Sequence, residues 1–329
     1  MRIGTRGSAL ALWQARTVAR LIEETGGPRC EIVIIRTSGD EPNGPPDAPA
    51  TSATHSTSGT PGTSGTLNVK RLFVKELEEA LLDGRVDLAV HSAKDLPAVL
   101  QDELVIGAAL ERADPRDALL LPAGAGPREF AAVKDAVGAA PRIGTSSLRR
   151  SAQLRAVFPN ASFSPIRGNV DTRLRKLDAG DCDLLVLAAA GLERLGLSGR
   201  VSAYLPIDVC VPAPGQGIVA VEIASRASQM IKDAVSRISD ADAATALSAE
   251  RAVIQALGGG CQTPLGVLAT IDGPSLEILG LVASLDGHTI IRATVRGNRG
   301  GAAAAGEKLA RKLLSLGAAD LLAAAHLGH

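Results

Sequence analysis

Aromatic side chains are scarce: the 329 residues include one Trp, one Tyr and four Phe, 2% of the chain. That leaves nothing from which to build stacking platforms for single-stranded nucleic acid. Excess charge of either sign is also missing, because 35 Lys and Arg balance 35 Asp and Glu. The whole protein therefore has no electrostatic reason to seek nucleic acid or an anionic membrane. Cysteine is sparse. Cys30, Cys182, Cys210 and Cys261 are scattered, with no C-x-x-C and no His at ligand spacing. This argues against a disulfide framework and against a zinc or other metal site, and it fits a reducing cytosol. Long apolar runs are absent too. The longest, residues 184–192, is too short to span a bilayer, and the N-terminus has no apolar signal core. A soluble cytoplasmic protein is expected, and nothing demands more than a monomer.

What is present is an alternation of strands and helices. A hydrophobic content of 46% is ample for two or three cores. Arg2-Ile3-Gly4-Thr5 reads as a strand breaking into a glycine turn, with Ser8 capping a helix that carries Leu10, Trp13, Thr17 and Leu21 at helical spacing. Residues 31–35 form the next strand. Residues 41–66 are mostly Pro, Thr, Ser, Gly and Ala and cannot bury enough surface to offset their ordering entropy, so a disordered insertion is expected there. A helix follows, with Phe73, Leu77 and Leu81 facing a core. Residues 111–117 suit a crossing between lobes. Arg142-Ile143-Gly144-Thr145 then repeats the opening pattern, ending in hydroxyl caps and Arg149-Arg150. Residues 183–187 read as another buried strand. Residues 212–217 read as a second hinge, and residues 218–223 as a strand that returns to the first sheet. From about Asp240 the texture becomes that of a small α+β unit. Domain one is thus expected to be residues 1–112 with 214–236, domain two 116–211 and domain three 241–329, the first two with mostly parallel sheets.

The chemistry is densest at one strand end. Val86, Leu88 and Val90 alternate in a β-prone run that empties into His91-Ser92-Ala93-Lys94-Asp95-Leu96-Pro97. Ligands of open α/β sheets bind beyond such carboxyl ends, which makes Asp95 the candidate for chemistry. The same residues also suit a solvated turn with a Lys94–Asp95 surface pair. Arg6, Arg149, Arg150, Arg167, Arg173 and Arg194 all sit in or just after Gly/Ser/Thr-rich turns that follow strands. Gathered on one cleft, such forks suit a ligand with several carboxylates or phosphates, though any one of them also reads as an ordinary surface or cap residue. Cys261 follows three glycines and precedes Gln-Thr-Pro. It reads either as an exposed tethering thiol or as the residue after a plain helix-capping turn.

Several of these segments resemble the porphobilinogen deaminase, or hydroxymethylbilane synthase, family. They are residues 3–15, 72–76, 89–97, Asp114-Pro115-Arg116-Asp117, 143–150, 166–173, 188–196, Gly215-Gln216-Gly217 and Gly259-Gly260-Cys261-Gln262, in the family's order over nearly the whole chain. The resemblance implies an α/β fold of two doubly wound lobes like type II periplasmic binding proteins, plus the small C-terminal α+β domain. It implies a dipyrromethane cofactor joined by thioether to Cys261, and successive condensation of four porphobilinogen molecules with loss of ammonia before water releases a linear tetrapyrrole. By the same resemblance Asp95 is the catalytic carboxylate. Lys94, Thr145, Ser146, Ser147, Arg149, Arg150 and Gly168 would hold the cofactor, and Arg6, Ser8, Phe73, Arg167, Arg173 and Arg194 the substrate. Loss of ammonia leaves a pyrrolic cation, and a carboxylate aimed at its N–H would stabilise charge that is small in the ground state and large in the transition state. Two departures from the family pattern stand out: Val69 and Arg71 replace glycines around the lysine before Leu72-Phe73, and the 41–66 insertion is unusually long and polar. A two-lobed protein that clamps an anion without chemistry, and DNA binding through the Arg149–Arg150 helix, are the competing expectations.

Overall fold

In a computed structural model the described residues are 1–36, 71–258 and 263–327. The expected insertion at 41–66 and Cys261 lie outside them. The elements run β1 (Arg2–Thr5), α1 (Ala9–Glu24), β2 (Glu31–Ile34), α2 (Arg71–Leu82), β3 (Leu88–Ser92), β4 (Leu104–Ala109), β5 (Asp117–Leu120), α3 (Phe130–Ala136), β6 (Arg142–Gly144), α4 (Leu148–Arg155), β7 (Ser162–Ser164), α5 (Val170–Asp178), β8 (Leu184–Ala188), α6 (Ala189–Arg194) and β9 (Ala203–Tyr204). After them come β10 (Val219–Ala224), α7 (Gln229–Arg237), α8 (Ala241–Ala256), β11 (Leu265–Asp272), β12 (Ser275–Ala283), β13 (Ile290–Asn298), α9 (Ala302–Ser315) and α10 (Ala318–Leu327).

The first five-stranded sheet has the order β2-β1-β3-β10-β4 and the second β7-β6-β8-β5-β9. Numbered within each lobe, both are 2-1-3-n-4, where n is the first strand after a crossing between lobes. Strand n is antiparallel to both neighbours in each sheet, β10 against β3 and β4, β5 against β8 and β9. The expected return of the chain to the first sheet is therefore real, but it enters the sheet interior reversed. The two lobes have the type II periplasmic-binding-protein arrangement.

The repeat at residue level is close. Ile3 and Ile143 are fully buried, and the glycine after each lets its strand lie against neighbouring side chains. Arg2 reaches Asp87 at 2.7 Å, and Arg142 reaches Asp183 at 2.6 Å, each pair joining the start of strand 1 to the residue before strand 3. Apolar clusters fill both faces of each sheet. Leu88 and Val90 pack with Ile3, Val18 and Ile22, while Leu77, Leu81 and Ala89 meet on the other side.

The third unit is a β11-β12-β13 antiparallel sheet covered by α8 and α9. It grips both lobes. Ala243 and Leu247 of α8 pack with Val74, Ala93 and Leu96 of the first lobe. Leu281 and Ala283 of β12 pack with Ala152 and Val211 on the other. No described helix is long and apolar enough to cross a membrane.

Candidate active site

On the first lobe, β3 is buried on both faces and runs into a short 3-10 turn, Ala93–Asp95. Ala93 and Leu96 are anchored in the apolar cluster with Ile218 and Leu247, so the turn between them is rigidly seated while Lys94 and Asp95 stay half-buried. The hinge backbone lies directly against it. Gly215 has φ +74°, and a Cβ there would sit 2.9 Å from the backbone of Ala93 and Lys94, so no larger residue fits. Lys94 Nζ donates to Gln216 Oε1 of the hinge at 3.2 Å. Gln14 of α1, 2% exposed, donates to Ser92 Oγ at 2.9 Å and braces the same turn. Ser8 caps α1, accepting from the Ala11 N–H, with half-buried Arg6 just ahead. His91, expected among the crowded polar residues of the strand end, points into the lobe instead, where its Nε2 lies 3.0 Å from the fully buried Glu222 carboxylate.

On the second lobe, Ser147 caps α4 by accepting from the Arg150 N–H, Thr145 Oγ1 accepts from the Ser147 N–H, and Ser146 Oγ donates to Ile166 O. The two arginines that follow are not the open forks expected. Both are buried on Asp117, which is fully buried itself. Arg149 Nη1 reaches Asp117 Oδ2 at 2.7 Å, and Arg150 grips Oδ1 through Nε at 3.0 Å and Nη2 at 2.7 Å. Arg150 Nη1 is used on Val186 O. Burial pushes the Asp117 carboxyl up, but the two guanidinium charges and their hydrogen bonds outweigh it and hold the group far below the ordinary carboxylate range. The Cys210 thiol, 3.5 Å from Asp117, is pushed up to about 12 by burial and by that carboxylate.

The remaining cations differ in setting. Gly168 has φ +115°, and a Cβ there would lie 2.8 Å from Thr172, so this turn also requires glycine. Its carbonyl accepts from Arg173 Nε at 2.8 Å. Burial lowers the Arg173 pKa and the nearby Arg150 charge lowers it further, while Asp95 acts the other way. Arg173 of the second lobe thus senses Asp95 of the first. Arg167 is exposed. Arg194 Nη2 donates to the hinge carbonyl of Gly217 at 2.5 Å. Phe73 falls in α2, with its side chain outside the described residues.

The two crossings and the third unit meet at one knot that the sequence reading missed. Gln216, fully buried, donates to Asp117 Oδ1 and to Pro115 O, both at 2.8 Å. Arg112 donates to Gln216 O at 2.9 Å and to fully buried Glu250 of α8 at 2.6 Å. Glu250 also accepts from the Gly215 and Ala269 N–H groups. Beside this knot a cavity of about 80 Å³ is lined by Lys94, Ser147, Arg149, Arg251 and Thr263, with apolar walls from Leu96, Leu247, Ile254 and Leu265. Thr263 is two residues after Cys261 in the chain. Arg251, also unforeseen, donates to Ala98 O at 2.9 Å from the third unit. The hints were in the chain: Asp117 and Gln216 lie in the D-P-R-D and G-Q-G motifs, but nothing in their spacing says that they touch.

Fold and site define a two-lobed α/β protein that sets Asp95 on one lobe against arginines of the other, with a third unit packed on both. The family described as "Porphobilinogen deaminase, dipyromethane cofactor binding domain" matches residues 1–232, and "Porphobilinogen deaminase, C-terminal domain" matches residues 244–315. Porphobilinogen deaminases of Syntrophomonas wolfei and Bordetella parapertussis are each 44% identical over 98% of this chain, covering 97% and 95% of those proteins. A periplasmic substrate-binding protein of an ABC transporter from Coxiella burnetii superposes with TM-score 0.41 at 13% identity, covering 72% of this chain and 91% of that one. That likeness is too loose to argue from, so the fold assignment stands on strand order and on the family match. The chain belongs to the porphobilinogen deaminase family, whose cofactor is a dipyrromethane.

Proposed function

We propose that the family's reaction runs in this cleft with Asp95 as its catalytic carboxylate: four porphobilinogen molecules condense head to tail with loss of ammonia, and water then releases the linear tetrapyrrole. The observation that carries the assignment is the seating of Asp95. It stands half-buried on a turn clamped by apolar anchors and the hinge, and it is near enough to act on Arg173 across the lobes.

The residues present fit the cofactor. A dipyrromethane offers carboxylates and flat rings, and the cavity wall brings Lys94, Arg149 and Ser147 together with aliphatic side chains that match both in chemistry. Bound through the Cys261 thiol, it would supply the electron-rich pyrrole carbon that accepts each incoming unit. Thr145, Ser146 and Gly168 shape the second-lobe side of this site, and Arg150 holds Arg149 in place through their shared Asp117. Arg6, Ser8, Arg167, Arg173, Arg194 and Phe73 are assigned to the substrate side. Asp95 carries its negative charge to the pyrrole N–H of the substrate, where positive charge grows as ammonia departs. A fixed carboxylate in a water-poor cleft lowers that barrier more than solvent could. Its oxygens can also take up a proton between steps. We further propose a monomer in a reducing cytosol, a setting that suits the free thiols of Cys30, Cys182 and Cys210.

Intact mass spectrometry tests the reading. Active protein is expected to carry the mass of two pyrrole units, lost in Cys261→Ser. An active, unmodified chain would overturn the attachment. A protein that binds porphobilinogen but consumes none would favour the clamp without chemistry.

A further inference from the structure

Arg194, half-buried, differs from the buried Arg149 and Arg150 of the cleft. Arg149 and Arg150 share one counter-charge, the Asp117 carboxylate. Arg194 forms no ion pair among the described residues. Burial lowers its pKa, with only a weaker opposite pull from exposed Glu193. Its guanidinium is instead held by two uncharged groups from outside its own helix: the Gly217 carbonyl of the hinge, and the ring face of Trp13, 5.7 Å from the guanidinium carbon to the ring centroid. Trp13 belongs to α1 of the first lobe, so this contact crosses the cleft.

We infer that Trp13 is a positioning residue that holds the Arg194 guanidinium, charge intact, for a substrate carboxylate. The inference rests on the role proposed for Arg194. A carbonyl and a π face orient a cation without cancelling its charge, as a carboxylate would. The helix that carries the ring is held on both sides of it. The next residue, Gln14, is tied to Ser92 of the catalytic strand. One turn earlier, Leu10 meets α6, its Cδ2 lying 3.7 Å from where a Cβ on Gly191 would be. Trp13 therefore couples the orientation of Arg194 to the seat of Asp95 and to the approach of the two lobes.

The test is a double-mutant cycle on the cofactor-loaded enzyme with porphobilinogen. Trp13→Leu is expected to raise KM about three- to tenfold with little change in kcat, and Trp13→Phe, which keeps a ring face, to restore most of it. Arg194→Gln should raise KM by more, and adding Trp13→Leu to it should raise KM no further. Unchanged KM in Trp13→Leu, or multiplicative effects in the double variant, would overturn the inference while leaving Arg194 its role. Unchanged KM in Arg194→Gln would remove that role and the inference with it.

Discussion

The two lobes share one strand order, 2-1-3-n-4, and even one tetrapeptide, Arg-Ile-Gly-Thr, at the start of strand 1. They carry different chemistry at matching places. Where strand 3 ends, the first lobe presents Asp95 and the second, through α6, presents Arg194. Where strand 1 ends, the first lobe has one half-buried arginine, Arg6, before its helix. The second has the Arg149–Arg150 pair locked on a buried carboxylate. The scaffold supplies two similar sheet edges, and the turn residues decide that one carries the acid and the other most of the arginines. Asp117 is itself the first residue of strand n in the second lobe, so the strand that marks the crossing also fixes the arginines.

The largest effect that would break this division of labour is at the acid. Asp95→Asn is expected to load cofactor yet lose turnover by at least about 10²-fold, the scale of a lost electrostatic stabiliser. Next comes the base-holding side. Asp117→Asn leaves two buried guanidiniums short of their counter-charge and is expected to destabilise the fold by about 3–5 kcal/mol at neutral pH, read by urea unfolding. Because the folded-state pKa of Asp117 is held below its unfolded value, this stabilisation is complete above the ordinary carboxylate value of 3.8 and is lost as pH falls further. The gap between Asp117→Asn and the parent chain should therefore close in acid and not in alkali. A smaller loss is expected for Gln216→Leu, about 1–3 kcal/mol, since it takes this donor from the part-buried Pro115 carbonyl and one of three donors from Asp117 Oδ1. The smallest effects sharpen the comparison. Arg2→Met and Arg142→Met remove equivalent exposed pairs, and differential scanning calorimetry should show equal shifts in Tm, below all of the above.

Much of this was legible in the chain because local chemistry and global fold agree there. The Arg-Ile-Gly-Thr repeats, the serine caps at Ser8 and Ser147, and the apolar alternation of Val86, Leu88 and Val90 each specify one element. Strands β4, β5, β7, β9 and β11 were not foreseen, since short buried runs carry no clear period. The reversed sense of β5 and β10 was equally invisible, because side-chain alternation is the same in either direction. Most telling was the reading of Arg149 and Arg150 as open ligand forks. Helical capping by Ser147 is a local signal and was seen. The carboxylate that occupies both arginines lies 32 and 33 residues away, in a segment that reads as a polar crossing. Pairing with a buried carboxylate is a property of packing, and neither spacing nor composition reports it.

The central claim is that one seated carboxylate drives ammonia loss while the cations around it bind. Porphobilinogen consumption by cofactor-loaded Asp95→Asn, with loading verified by intact mass, tests it most directly. A fully loaded protein at about 1% of the parent rate or less is the expected result, and a fully loaded protein that turns over near the parent rate would contradict the account.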